Sequence, residues 1–124
     1  MEALSIERAV ETIFELQHRT DLVDAASLHD AVMLTLQNLG CVCVREHQVD
    51  KAMGNRSPRI DVFASNGPLS MAIELDKGRA RERSLRKLQT YAKAFRIVVL
   101  RCARARVWKK FLGVDYVIGL GLPY

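Results

Sequence analysis

Three acidic residues lie in or at the ends of two apolar runs. Asp61 interrupts Arg59-Ile-Asp-Val-Phe-Ala64, and Glu74 and Asp76 close Leu69-Ser-Met-Ala-Ile-Glu-Leu-Asp76. A carboxylate inside an apolar strand is costly unless it is paired or binds a metal. Asn66-Gly67-Pro68 separates the runs, and Asn-Gly in that position signals a β-hairpin. The two-residue period of a strand puts Glu74 and Asp76 on one face, which Asp61 reaches from the paired strand. Three converging carboxylates suit a hard divalent cation, Mg²⁺ or Mn²⁺. Like charges held side by side raise each other's pKa unless a cation offsets them. The plainer alternatives are an ion pair between Asp61 and Arg59 or a helix base, and a strand end at which Glu74 and Asp76 reach solvent.

The basic residues are as unevenly placed as the acids. Residues 1–50 hold nine acids and three bases, and residues 51–124 hold five acids and sixteen bases. Lys77, Arg79, Arg81, Arg83, Arg86 and Lys87 crowd one stretch with only Glu82 opposing. Arg101, Arg104, Arg106, Lys109 and Lys110 form a second cluster. Bases flanking an acidic pocket suit a polyanion: Arg and Lys hold phosphates while the acids hold the metal. A solvated helix face is the bland alternative. No base-reading motif is present, so structure-selective or non-specific binding is expected.

A chain of 124 residues is the size of one domain, 1–124, and 6% aromatic residues in 49% hydrophobic ones imply an aliphatic core. No run is long enough to span a membrane, and the first residues lack the order of a signal peptide. Cys41, Cys43 and Cys102 read as free thiols in a reducing cytoplasm. His18, His29 and His47 show no ligand spacing and read as structural or exposed.

The elements that must position these groups follow from periodicity. The pattern predicts helices over about 5–19 and from Ser27 to Leu39, the second opened by a capping box at Ser27-Leu-His-Asp30. A strand over 41–49 and a polar loop, 50–58, come before the hairpin. A third helix over about 80–94 puts Ser84, Lys87 and Tyr91 on one face. A buried strand at 97–100, a basic helix at 104–112 and a last strand at 114–119 complete the chain. The expected fold is α/β, a mixed sheet with helices on its faces.

The succession helix–strand–strand–strand–helix–strand over about residues 26–119 resembles the core of the PD-(D/E)XK, or restriction-endonuclease-like, nucleases. An extra helix would precede it and a helix–strand pair would follow. That superfamily carries an acid on the second core strand, then an acid, any residue and a lysine on the third. Asp61 and Glu74 fall at the two acid positions. Asp76 stands where the lysine belongs, and Lys77 beside it points to the opposite face of a regular strand. Some relatives supply the lysine from the following helix, which is the place of Lys87. The resemblance implies Mg²⁺- or Mn²⁺-dependent hydrolysis of phosphodiester bonds, most simply in DNA. Asp61, Glu74 and Asp76 would hold the metal, with Asp30 as an outer ligand, and Lys87 or Lys77 would assist catalysis. Arg59, Arg79, Arg81, Arg83, Arg86 and Tyr91 would contact nucleic acid. A homodimer or a larger complex is the expected assembly. A catalytically inactive nucleic-acid-binding protein or accessory subunit is the alternative.

Overall fold

The computed structural model describes residues 3–48 and 59–124, with the side chains of residues 46–48 left aside. Helix α1 (Ile6–Phe14) runs into a 3₁₀ turn (Glu15–His18), and helix α2 covers Ala25–Asn38. Strands β1 (Val42–Gln48), β2 (Arg59–Asn66) and β3 (Leu69–Asp76) precede helix α3 (Glu82–Gln89). Strands β4 (Phe95–Leu100), β5 (Arg106–Phe111) and β6 (Val114–Gly119) follow it. The six strands form one mixed sheet in the order β1-β2-β3-β4-β6-β5. The pairs β1–β2, β2–β3 and β5–β6 are antiparallel, whereas β3–β4 and β4–β6 are parallel.

Each face of the sheet carries its own apolar layer. Ile6, Val10 and Ile13 of α1 and Leu28, Val32 and Leu36 of α2 pack on Val62, Ile73, Ile97, Val99 and Ile118. On the other face Leu88 of α3 and Tyr91 meet Ala72, Val98 and Val117. The central strands β3 and β4 are covered on both sides, which is why they read as near-continuous apolar runs. Glu74 is therefore a carboxylate in a strand enclosed on both faces. Among the described residues, no helix is long and apolar enough to cross a membrane.

The hairpin falls where the sequence puts it. Gly67, at φ +57°, leads into Pro68, whose ring holds φ negative. Positive then negative φ is the type II′ order, which follows the twist of the flanking strands. Helix α2 starts earlier than Ser27. Its N-cap is Asp24, which accepts from the Ser27 N–H at 2.8 Å while Ser27 Oγ accepts from the Asp24 N–H at 3.2 Å. This reciprocal pair has the acid first, the reverse of the Ser-first template, and it leaves Asp30 outside the cap.

The stretch expected as a basic helix, Arg104 to Leu112, is instead the edge strand β5. Val107 packs into the α1/α2 layer and Trp108 into the α3 layer, so successive side chains take opposite faces. A tight turn through Leu112 (φ +57°) and Gly113 (φ +78°) returns the chain to β6. Basic side chains along an outer strand also discourage pairing with another sheet. Helix α3 is shorter than expected, eight residues, and Phe95 belongs to β4. The polar stretch 50–58, expected as a mobile loop, lies outside the described residues.

Candidate functional site

Strands β2 and β3 pair regularly from Asn66↔Leu69 to Val62↔Ile73. Beyond that pair, side chains take over as acceptors. The Asp61 N–H donates to Glu74 Oε2 at 2.8 Å, and the Leu75 N–H donates to Asp61 Oδ2 at 2.8 Å. Each acid thus satisfies the backbone of the opposite strand, and the two carboxyl groups are brought against each other. Helix α3 completes the cluster. Lys87 Nζ lies 2.6 Å from Glu74 Oε1 and donates to the Arg59 carbonyl at 3.0 Å.

Glu74 has no exposed surface. Its pKa is pushed up to about 7, by burial first, with the Asp61 carboxyl adding to the rise and Lys87 opposing it. Lys87 is close enough for an ion pair, yet Oε1 has no well-directed hydrogen bond. Lys87 is the cation at ion-pair distance from Glu74, and an added proton or a cation would offset the repulsion between the two acids.

Asp76 points toward α3 as well, so the period of two holds, but it serves a different purpose. It accepts from the Arg81 N–H at 3.0 Å, from Arg81 Nε at 2.7 Å and from Ser84 Oγ at 3.1 Å. These bonds anchor the first turn of α3, where unpaired N–H groups favour an acid. Ser84 and Lys87 face the sheet, as their spacing predicts, Ser84 on Asp76 and Lys87 on Glu74; α3 ends at Gln89, so Tyr91 follows the helix instead of lying on it, with its ring 5.6 Å from that of Phe63.

The remaining sequence-predicted residues divide cleanly. The structure brings together Asp61, Glu74 and Lys87. It does not bring Asp30 to them; that side chain is exposed and 3.4 Å from Arg45 Nη1. Asp76 is taken up by Arg81 and Ser84, so it makes no third ligand beside the pair. Lys77 is turned away, with Nζ 4.5 Å from the centre of the Tyr124 ring. Among the described residues, no three His, Cys, Asp or Glu side chains gather closely enough to hold a metal ion. Tyr91 is buried, with its pKa pushed up to about 12 by burial and by the nearby Glu74 charge. It is a core residue rather than a nucleic-acid contact. Arg59, Arg79, Arg81, Arg83 and Arg86 keep exposed positions, with Arg86 3.9 Å from Glu82.

His29, expected to be structural or exposed, takes a structural place beside the site. It is buried on α2 and donates from Nε2 to the Asp61 carbonyl at 2.8 Å, fixing the backbone from which that carboxylate projects. A carbonyl only accepts, so Nε2 carries the hydrogen. A capping box beginning at Asp24 would have placed His29 one turn into the helix, on the face shared with Leu28 and Val32. Beside it is a hollow of about 310 Å³ walled by Ala25, Ala26, His29, Arg45, Asp61, Leu75 and Arg81. Asp61 therefore borders open space, whereas Glu74 is sealed beneath it.

Comparisons with protein-family models, with curated proteins and with solved structures find no match. The site's geometry and chemistry therefore carry the functional argument.

Proposed function

We propose that this chain is a small metal-dependent nuclease of the PD-(D/E)XK type, hydrolysing phosphodiester bonds in DNA without strong sequence preference. The observation that carries the reading is the meeting of Asp61 and Glu74, from paired strands, with Lys87, from the following helix. The order α2-β1-β2-β3-α3-β4 is the order of elements that this superfamily's core would have. Asp61 and Glu74 fit Mg²⁺ or Mn²⁺ as a donor pair, because Mg²⁺ is commonly held by one or two carboxylates and completed by water and phosphate oxygens. When bound, such an ion would neutralise phosphoryl charge and lower the pKa of an attacking water. Lys87 would orient that water or steady the developing charge, and its hold on the Arg59 carbonyl fixes its reach. Arg81, pinned by Asp76, would grip a phosphate at the mouth of the site.

The test is cleavage of DNA in Mg²⁺ or Mn²⁺ by the purified chain and by Asp61→Asn. Cleavage by the parent and none by the variant, with both folded, is expected; equal cleavage by both would sink the proposal. A second reading is favoured by the complete burial of Glu74 and by Asp76 standing at the motif lysine: a nuclease fold that only binds nucleic acid. Binding without cleavage across divalent ions would select it.

A further inference from the structure

Three hollows meet at the carboxyl end of β3 and share walls. The first, beside Asp61, shares Ala25, Leu75 and Arg81 with the second. The second shares Lys77 and Arg81 with the third, of about 410 Å³, which is closed by Gly78, Arg79 and Tyr124. Arg81 borders all three. Through these shared residues the three hollows adjoin in a row, here termed the channel, from Asp61 to an exposed aromatic ring, beside the exposed cations Arg81, Lys77 and Arg79. The acid along it, Asp76, is buried and engaged by Arg81 and Ser84.

The ring at the far end is held in place. The Leu120, Gly121 and Leu122 N–H groups donate to the carbonyls of Leu100, Ala103 and Arg101 at 3.0, 2.7 and 2.9 Å. Leu122 is buried. The Tyr124 hydroxyl then sits against Gly78, where an added Cβ would come within 2.6 Å of it. Lys77 occupies one side of the ring, and the residue is still 82% exposed. A fixed aromatic face beside a line of cations is what an unpaired nucleic-acid strand uses: the base stacks and the backbone follows the charges. A paired duplex has no base free to stack there.

We infer that this channel binds a single nucleic-acid strand, with a base stacked on Tyr124 and phosphates on Lys77, Arg79 and Arg81, leading the chain toward Asp61. The inference rests on the proposed nuclease reading only for the direction in which the strand runs; binding itself needs no catalysis.

The experiment measures fluorescence anisotropy of labelled oligothymidylate, oligouridylate and a short DNA duplex in EDTA, so that loss of cleavage cannot be mistaken for loss of binding. Tyr124→Ala is expected to weaken single-strand binding about tenfold, the size of one stacked base. Tyr124→Phe should retain it, because the ring remains. Arg79→Gln should lower the salt dependence by about one phosphate contact. Comparison of the two oligonucleotides assigns the strand as DNA or RNA, and either supports the inference. Unchanged affinity in Tyr124→Ala, equal loss in Tyr124→Phe, or a duplex weakened as much as the single strand would each overturn it. Thermal melting of each variant checks that the fold is kept.

Discussion

Glu74 and Asp76 are two residues apart, on one strand, facing one helix, and both are almost fully buried. They nevertheless sit in opposite circumstances. Asp76 has a backbone N–H, a guanidinium and a hydroxyl directed at it. Glu74 has one backbone N–H, a lysine at ion-pair distance, and another carboxyl group pressing on it. Donors convert a buried charge into a structural tie, whereas a like charge keeps it chemically unsettled. Perturbed groups of the second kind mark functional sites more often than the first. On the proposed nuclease reading, this difference assigns the chemistry to Glu74 and the scaffolding to Asp76.

The largest effect that tests this contrast is on cleavage. Glu74→Gln keeps the shape and an acceptor for the Asp61 N–H but removes the charge. It should lower metal-dependent cleavage by on the order of a thousandfold, as loss of a preorganised electrostatic group does, without lowering the melting temperature at pH 8. Asp76→Asn assayed at a temperature where it is folded should change the rate far less. Equal losses in the two variants would erase the distinction.

Acidity gives the next largest effect. Glu74 keeps its proton to about pH 7 in the folded chain, against an ordinary value of 4.5. Between those values the folded state binds more protons than the unfolded state, so stability falls as pH rises. Below about 4.5 both states are protonated and above about 7 both are ionised, so this contribution is flat outside the window. The loss through the window is on the order of 3 kcal/mol, read from urea unfolding at a series of pH values. In Glu74→Gln this part of the slope should vanish. Adding Mn²⁺ at pH 8 should restore stability to the parent and not to Glu74→Gln, because only the parent offers the ionised pair.

The sequence made part of this contrast legible and hid the rest. Alternation in the hairpin puts Glu74 and Asp76 on one face, and the i, i+3 spacing puts Ser84 and Lys87 against it. What the spacing could not assign was ownership. Two of the donors to Asp76 come from Arg81, which ends the turn before α3, and no periodicity describes that turn's path, so a satisfied acid reads as a third ligand. Tyr91 lies just beyond α3, and its depth depends on Phe63 across the sheet, a contact twenty-eight residues distant in the chain. The strand β5 was misread for a related reason. Val107, Trp108 and Phe111 serve a helical stripe or an alternating edge equally well over so short a run, and its pairing with β6 decided between them. His29 reads from the sequence only as structural or exposed, because a bond to a backbone carbonyl leaves no mark in residue types.

On the scaffolding side, Asp76→Ala strips the first turn of α3 of its anchor. It leaves a buried hydroxyl and a buried N–H without their acceptor, at a cost of about 2 kcal/mol in chemical unfolding.

The smallest effect sharpens the contrast most. Ser84→Ala removes a single neutral donor from Asp76 and should cost about 1 kcal/mol. If the hydroxyl acts only through that carboxylate, then Ser84→Ala made in the Asp76→Ala background should cost almost nothing. The coupling energy of the double-mutant cycle should then nearly equal the single-mutant loss. The matching cycle between Ser84→Ala and Glu74→Gln should show coupling near zero, because Ser84 donates to Asp76 and Glu74 is held by Lys87 and the Asp61 N–H. Sizeable coupling between Ser84 and Glu74 would mean that the two carboxylates behave as one network, and the division of labour along β3 would be lost.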